Sequence, residues 1–277
     1  MSVTVADPTA ARGSAAPRGR VTQWHVVRSE WTKLWSLRST RWSLLAAVVA
    51  MAGLGVLVSA IQMSRWSHLD PQERIHFRAI DHSLGGVNLA QLAIGVLGVL
   101  IISGEYSTGM IRSSMLAVPR RLPVLWAKIG VFGAVTFVLM LISAFVAFTA
   151  SQAILTQHHV NVALGAPHAL RAIVGTALFL TVLGILCIAI GALVRNSAGG
   201  ISTFVGLLFV LPGIAAILPS SVGDAIHPYL PSNAGASVMQ AVPDAHMLSP
   251  WAGFALFCGY TLAAVLAAAL LLARRDV

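Results

Sequence analysis

The chain has 277 residues, of which 57% are hydrophobic and only 10% are charged, and its formal net charge is +9. A soluble domain carries about 25% charged residues, so the composition excludes an ordinary soluble domain and places the chain in a lipid bilayer. The bases stand at the ends of apolar runs and form no single patch, which argues against nucleic-acid binding. The two cysteines, Cys187 and Cys258, lie inside apolar runs and are interpreted as packed thiols.

The first 41 residues precede the first long apolar run. Residues 1–20 contain no apolar core of a signal peptide, and they are predicted to form a disordered cytoplasmic tail. Residues 21–41 are predicted to form an amphipathic interfacial helix that lies flat among the lipid headgroups. One helical face of that segment would carry Trp24, Val27, Trp31, Leu34 and Trp35. It is either an ordinary juxtamembrane helix or one that also contacts a cytoplasmic partner.

The remainder, residues 42–277, is predicted to be a transmembrane domain with six spans. Each apolar run is long enough to cross about 30 Å of hydrocarbon as a helix. The predicted fold class is therefore an all-α integral membrane protein. The six spans are predicted at about 42–61, 84–103, 124–150, 170–194, 198–218 and 251–272.

The distribution of Lys and Arg sets the orientation. With the N-terminus inside, the inner segments hold fourteen bases and the outer segments hold four, so the opposite orientation is rejected. Both termini are then predicted to be cytoplasmic, with the protein in the plasma membrane. All seven tryptophans fall at predicted span ends or on the interfacial helix, where an amphipathic ring is most stable.

The loop between the second and third spans, Gly104–Lys128, reads GEYSTGMIRSSMLAVPRRLPVLWAK. Gly104 is expected to release the chain from the second span, and Ser107 or Thr108 to cap a short helix. That helix would place Ile111, Met115 and Val118 on one apolar face before Pro119 ends it. The pattern indicates either a helix that inserts into a groove of a soluble partner or a plain amphipathic surface turn.

The sequence lacks the motifs of several common kinds of catalytic and binding site. There is no GxxxxGK[ST], HExxH or GxSxG motif, so no catalytic set is predicted and the chain is not expected to be an enzyme. The middles of the spans hold no Asp, Glu, Lys or Arg, which argues against a self-powered transporter. No metal site is predicted, because His158, His159 and His168 lack a nearby acid or Cys and are better explained as solvated loop residues.

The motifs of the loop resemble those of a known family, the type-2 ATP-binding-cassette (ABC) permeases. In that family an acid precedes a Gly-containing turn and a coupling helix, followed by a Pro-Arg pair and a Lys at the start of the third span. Two further stretches, 28–42 and 230–235, resemble actinobacterial members. The loop residues that carry the resemblance are Glu105, Tyr106, Ser107, Thr108, Gly109, Pro119, Arg120, Arg121 and Lys128.

The resemblance implies an exporter in which two permease subunits, identical or related, form the path and two separate ATPase subunits dock underneath. ATP and Mg²⁺ would be held by the ATPase, and this chain would need no cofactor of its own. The segment 219–250 would form short re-entrant helices at the outer side. The residues that the resemblance and the loop pattern assign to ATPase coupling are Glu105, Thr108, Gly109, Ile111 and Arg112, with Glu30 and Lys33 as a second contact.

One other function remains open from the sequence, and a third is disfavoured. A membrane scaffold or sensor that recruits a cytoplasmic protein would present the same loop and move nothing. An ion channel would need a polar or charged ring along a span, which is not found. The apolar, alanine-rich spans suit a lipophilic substrate and equally suit ordinary helix packing, so the substrate stays unknown.

Overall fold

The computed structural model describes residues 23–107, 122–242 and 247–274, and within these ranges all regular secondary structure is helical. Six of the described helical segments are long and apolar enough to cross a membrane, which confirms the six predicted spans. The predicted tail, residues 1–20, and the predicted helix within the loop lie outside the described residues. The division into tail, interfacial helix and transmembrane domain stays a prediction.

Twelve α-helices can be numbered along the described chain. The first two are α1 (Gln23–Ser36) and α2 (Arg38–Ser64), followed by α3 (Pro71–Ile75), α4 (Ala79–Ser83), α5 (Val87–Ser107) and α6 (Leu122–Leu155). The second half contains α7 (Ala169–Val194), α8 (Ser197–Val205), α9 (Leu211–Ala215), α10 (Ser220–Ile226), α11 (Pro231–Ala236) and α12 (Pro250–Arg274). The six spans are α2, α5, α6, α7, α8 with α9, and α12.

Local sequence explains several helix ends. Asp70 and Glu73 form a reciprocal capping box at the start of α3, with Pro71 in the first turn. The Asn196 side chain accepts a hydrogen bond from the backbone N–H of Gly199 and so caps α8. Pro123 lies in the first turn of α6, where its missing N–H costs no intrahelical hydrogen bond.

The fourth span, α7, is the central helix of the bundle. It packs against α5, α6 and α12, and 72% of its most apolar stretch is buried, against 22% to 28% for the first, fifth and sixth spans. Small residues allow close approach: a Cβ on Gly98 of α5 would lie 2.6 Å from the carbonyl oxygen of Gly184 of α7. The largest fully buried side chains of the bundle are the rings of Phe132, Phe148, Phe179, Phe204 and Phe257.

We call the end of the bundle where α5 ends and α6 begins the loop end, and the opposite end the far end. At the far end, the segment after α11 is held by polar contacts to its backbone. Arg171 donates to the carbonyls of Gln240 and Ala241 at 2.9 and 3.2 Å, and the Ala241 N–H donates to Asp81 at 3.2 Å. These contacts tie the chain between α11 and α12 to α7 and α4.

The short helix α11 is buried within the bundle. Gly235 of α11 packs directly against the rings of Phe179 and Phe257. Phe179 lies ten residues into α7, which is about 15 Å along that helix from its first residue. Part of the segment 219–250 therefore lies beside the middle of a span, although its depth in a membrane stays a prediction.

One local prediction differs from the structure. Gly104 does not release the chain, because α5 continues through it to Ser107. The fifth span contains a π-helical turn at Gly206–Val210, which lies just before Pro212. Proline lacks an N–H and clashes with the preceding turn, and a wider turn before Pro212 accommodates both.

Candidate functional site

Helix α1 is oriented by a buried stripe that includes Leu34 of the predicted apolar face but none of its tryptophans. Val26, Glu30 and Leu34 recur every four residues and are buried, whereas Trp24 and Trp31 are 72% and 48% exposed. Val26 packs in one apolar cluster with two residues at the start of α6, Val124 and Ala127. Helix α1 therefore lies along the first turns of α6, with its large aromatic residues turned away from the protein.

This orientation places Glu30 in a cluster of four charged side chains at the loop end. The Lys128 Nζ atom of α6 lies 2.7 Å from Glu30 Oε2 and 2.9 Å from Glu105 Oε1 of α5. The Lys33 Nζ atom lies 2.7 Å from Glu30 Oε1 and 3.4 Å from Glu105 Oε1. Each ammonium thus bridges the same two carboxylates, and the four residues form what we call the charge cluster.

The charge cluster is almost closed to solvent. The side chains of Glu30, Lys128 and Glu105 are 4%, 6% and 9% exposed, and that of Lys33 is 30% exposed. Buried charges are stable only when they are paired and hydrogen-bonded, because removal from water costs several kcal/mol per ion. Two acids and two bases cancel, so the burial leaves no net charge.

Two members have shifted acidity. Burial raises the pKa of Glu30, but the attraction and hydrogen bonds of Lys128 and Lys33 outweigh burial, and the net pKa lies below 4.5. Burial lowers the pKa of Lys33, but its hydrogen bond to Glu30 and the attraction of Glu105 prevail, and the net pKa lies above 10.5. Both groups are charged at neutral pH, as the ion-pair geometry requires.

The structure brings together three of the predicted coupling residues, Glu30, Lys33 and Glu105. Thr108, Gly109, Ile111 and Arg112 lie in the part of the loop that the structure does not describe. Glu30 and Glu105 face the interior, so the surface that they offer a docking partner here is small. Their position suits a structural role behind the loop better than direct contact.

Lys128 is the site residue that the sequence analysis did not single out as a coupling residue. Its ammonium makes the two shortest contacts that cross between helices of the cluster. The available signal was its position, because a lysine just inside a span that begins at Leu122 has to find an acid or reach water. In the sequence it counts among the bases that set the orientation and among the residues that carry the family resemblance.

A second set of contacts links α5 to the turn between α7 and α8. The guanidinium of Arg195 lies 5.2 Å from the centre of the Tyr106 ring, a cation–π distance. The Ser103 and Ser197 hydroxyls are 2.9 Å apart and share a hydrogen bond. Arg195 has φ of 58°, a left-handed conformation that ends α7. The end of α5 is therefore attached to α1 and α6 on one side and to α8 on the other.

The three loop histidines are not gathered into a site. The ring of His158 lies 5.9 Å from that of Trp66, and His159 and His168 adopt left-handed backbone conformations. Within the described ranges, no group of three His, Cys, Asp or Glu side chains could hold a metal ion.

A family model described as an ABC-2 family transporter protein matches residues 26–213, about two thirds of the chain. The chain belongs to the ABC-2 transporter family. The matched range begins in α1 and ends in α9, so it contains the whole charge cluster and five of the six spans. A search of curated proteins found no match. With its six apolar spans, the ABC-2 protein is a multi-pass membrane protein and the permease component of an ABC transporter, and its family associates with an ABC ATPase.

Proposed function

We propose that this permease is driven by a separate ABC ATPase, which binds from the cytoplasm to α1 and to the loop between α5 and α6. The observation that carries the proposal is the charge cluster. Its members come from α1, from the last turn of α5 and from the start of α6, so it joins both ends of the loop to α1. A force applied to the loop is then shared by three helices, two of which are spans.

The rigid attachment gives the coupling residues distinct roles. Thr108, Gly109, Ile111 and Arg112 are assigned to contact with the ATPase. A positioning role is assigned to Glu30, Lys33, Glu105 and Lys128. They hold α1 and the two spans in fixed relative positions while the ATPase moves the loop. ATP and Mg²⁺ belong to the ATPase, and this chain contributes no catalytic group.

The active assembly is proposed to be an exporter with two permease subunits and two ATPase subunits in the plasma membrane. The first, fifth and sixth spans are the least buried within the chain, which leaves apolar faces for a second permease subunit as well as for lipid. The second subunit can be identical or a related chain. Closure of the ATPases on ATP would switch the spans between two packings.

The first experiment identifies the cytoplasmic partner. The full chain is solubilised from its native membrane in mild detergent and captured, and the copurified proteins are sequenced. A protein with a GxxxxGK[ST] motif supports the permease proposal. Stoichiometric recovery of a different soluble protein, with no ATPase present, supports the scaffold or sensor alternative.

The second experiment tests coupling through the loop. In nanodiscs with the ATPase, Arg112→Glu is expected to leave ATPase binding largely intact and to abolish the dependence of ATP hydrolysis on the permease, because the charge reversal disrupts the contact that transmits motion. Arg274→Glu, an equal charge reversal at an exposed position in the last turn of α12, is the matched control and should retain coupling. Equal hydrolysis by the wild type and Arg112→Glu would contradict the proposal.

A further inference from the structure

A cavity of about 720 Å³ lies between α1, α2, α5 and α6 at the loop end. Its volume falls within the range of about 300 to 1,000 Å³ that is typical of small-molecule sites. The charge cluster forms part of its wall, so the cavity and the cluster are contiguous.

The wall of the cavity changes from polar to apolar. The more polar part contains the charge cluster, Leu34, Leu37 and four hydroxyl-bearing residues near the junction of α1 and α2, which are Ser36, Ser39, Thr40 and Ser43. The apolar part contains side chains of α5 and α6, which are Leu97, Leu100, Ile101, Val131 and Phe132. Along α5, Leu97 and Glu105 are eight residues apart, which is about 12 Å. The cavity therefore suits a molecule with a polar head and an alkyl tail.

The tryptophans beside the cavity indicate its depth. Trp31, Trp35 and Trp42 flank the α1–α2 junction and are 48%, 40% and 67% exposed. Indole rings exposed on a membrane protein are most stable at the headgroup level. The polar part of the cavity is then at headgroup depth and the apolar part at the depth of the acyl chains.

The charges of the wall restrict the headgroup. Two carboxylates and two ammonium groups are present, so the wall has no net attraction for an anion or a cation. A zwitterionic headgroup is complementary to such a wall, because its phosphate can accept hydrogen bonds from a lysine while its ammonium donates to a carboxylate. Lys33 is the most exposed member of the cluster, with 30% of its side chain exposed.

We propose that this cavity binds one phospholipid with a zwitterionic headgroup, with the headgroup against the charge cluster and an acyl chain along α5 and α6. The bound lipid would fill the space between α1 and the bundle at the point where the loop is anchored. This inference concerns the permease alone and holds whether or not an ATPase drives it.

Two glycines provide a matched pair of variants. Gly104 lines the cavity, and a Cβ built on it meets no atom within 4 Å, so Gly104→Leu occupies part of the cavity without a clash at the Cβ position. A Cβ on Gly130 also meets nothing within 4 Å, but Gly130 is exposed on the outside of α6 and does not line the cavity. Gly130→Leu adds the same side chain to a membrane-spanning helix and leaves the cavity open.

The experiment uses the full chain in nanodiscs that contain phosphatidylethanolamine with a photoactivatable diazirine in one acyl chain. After irradiation, cross-linked peptides are quantified by mass spectrometry. Cross-links are expected on the lining residues of α2, α5 and α6. Their yield is expected to fall by about tenfold in Gly104→Leu, which is equivalent to about 1.4 kcal/mol of binding free energy. In Gly130→Leu the yield is expected to stay as in the wild type. Undiminished cross-linking in Gly104→Leu would overturn the proposal.

A competition arm tests the headgroup on the wild type and so does not depend on folding of a variant. Excess unlabelled phosphatidylethanolamine is expected to suppress the cavity cross-links more strongly than excess phosphatidylglycerol. Equal or stronger suppression by phosphatidylglycerol overturns the zwitterionic assignment. No ATP or ATPase is present, so the result is separate from the outcome of the coupling experiments.

Discussion

Lys128 is the residue on which the charge cluster depends. It is 6% exposed and is the only described cation that the cluster draws from α6, so its ammonium is what attaches α6 to α1 and α5 by charge. Removing one partner of a buried ion pair leaves an uncompensated charge, whereas removing both can be nearly neutral. Lys128 therefore compensates much of the cost of burying the two carboxylates.

We expect Lys128→Met to destabilise the protein by roughly 3 to 5 kcal/mol, because Glu30 and Glu105 would face each other with only Lys33 between them. Lys33→Met, at the more exposed member, should cost clearly less. Adding Glu105→Gln to Lys128→Met should restore part of the loss, because it removes one buried charge. Unfolding free energies in detergent micelles measure all three variants, and equal costs for the two lysine variants would contradict this account.

At the scale of the helices, close packing at glycine decides where α11 lies. A Cβ on Gly235 would come within 2.7 Å of Phe179 Cε2 and 2.9 Å of Phe257 Cδ1. Both rings are buried, with exposed fractions of 1% and 0%, so neither can turn aside into solvent or lipid. The absence of a side chain at Gly235 is what lets α11 sit between α7 and α12.

We expect Gly235→Ala to destabilise the protein by about 1 to 3 kcal/mol through overpacking, even though alanine favours helix. Gly259→Ala in α12 is the matched control, since its Cβ would meet nothing within 4 Å and the position is exposed. That control should be neutral or stabilising by up to about 1 kcal/mol. Thermal unfolding in micelles compares the two, and a neutral Gly235→Ala would show that α11 is more loosely packed than described.

At the scale of the whole molecule, the orientation in the membrane carries the proposed mechanism. The fourteen-to-four distribution of bases predicts a cytoplasmic loop between α5 and α6. An ATPase has access to the charge cluster only in that orientation. With six spans, both chain termini are then predicted on the same side as the loop.

We expect a cysteine at Arg120 to react with a membrane-impermeant maleimide only after the cells are permeabilised, because the distribution of bases predicts that the loop is cytoplasmic. The variant is made in a background in which Cys187 and Cys258 are replaced by alanine. Gln157→Cys, at an exposed position in the connection after α6, is the control and should react in intact cells. Labelling of Arg120→Cys in intact cells would reverse the topology and remove the basis for ATPase docking.

Much of the fold follows from local properties of the chain. The six spans could be predicted because an apolar run of about 20 residues has no stable place outside a bilayer, whatever its neighbours are. The family could be suggested from the loop motif around Glu105 and Gly109, because these residues lie close together in sequence. The continuation of α5 through Gly104 to Ser107 could not be predicted from the sequence, since glycine weakens a helix locally and the packing of α5 overrides that preference.

The sequence by itself determined the number of spans, their approximate positions and the segment between α5 and α6 as the candidate site. Only the tertiary structure decided that α1 turns Glu30 inward and its tryptophans outward. The sequence pattern of an apolar helix face is the same whether lipid or protein covers that face. The tertiary structure also decided that Lys128 joins Glu30 and Glu105, which are 98 and 23 residues away along the chain. Charges pair when they are close in space. For residues far apart in the sequence, that distance is set by how the helices pack.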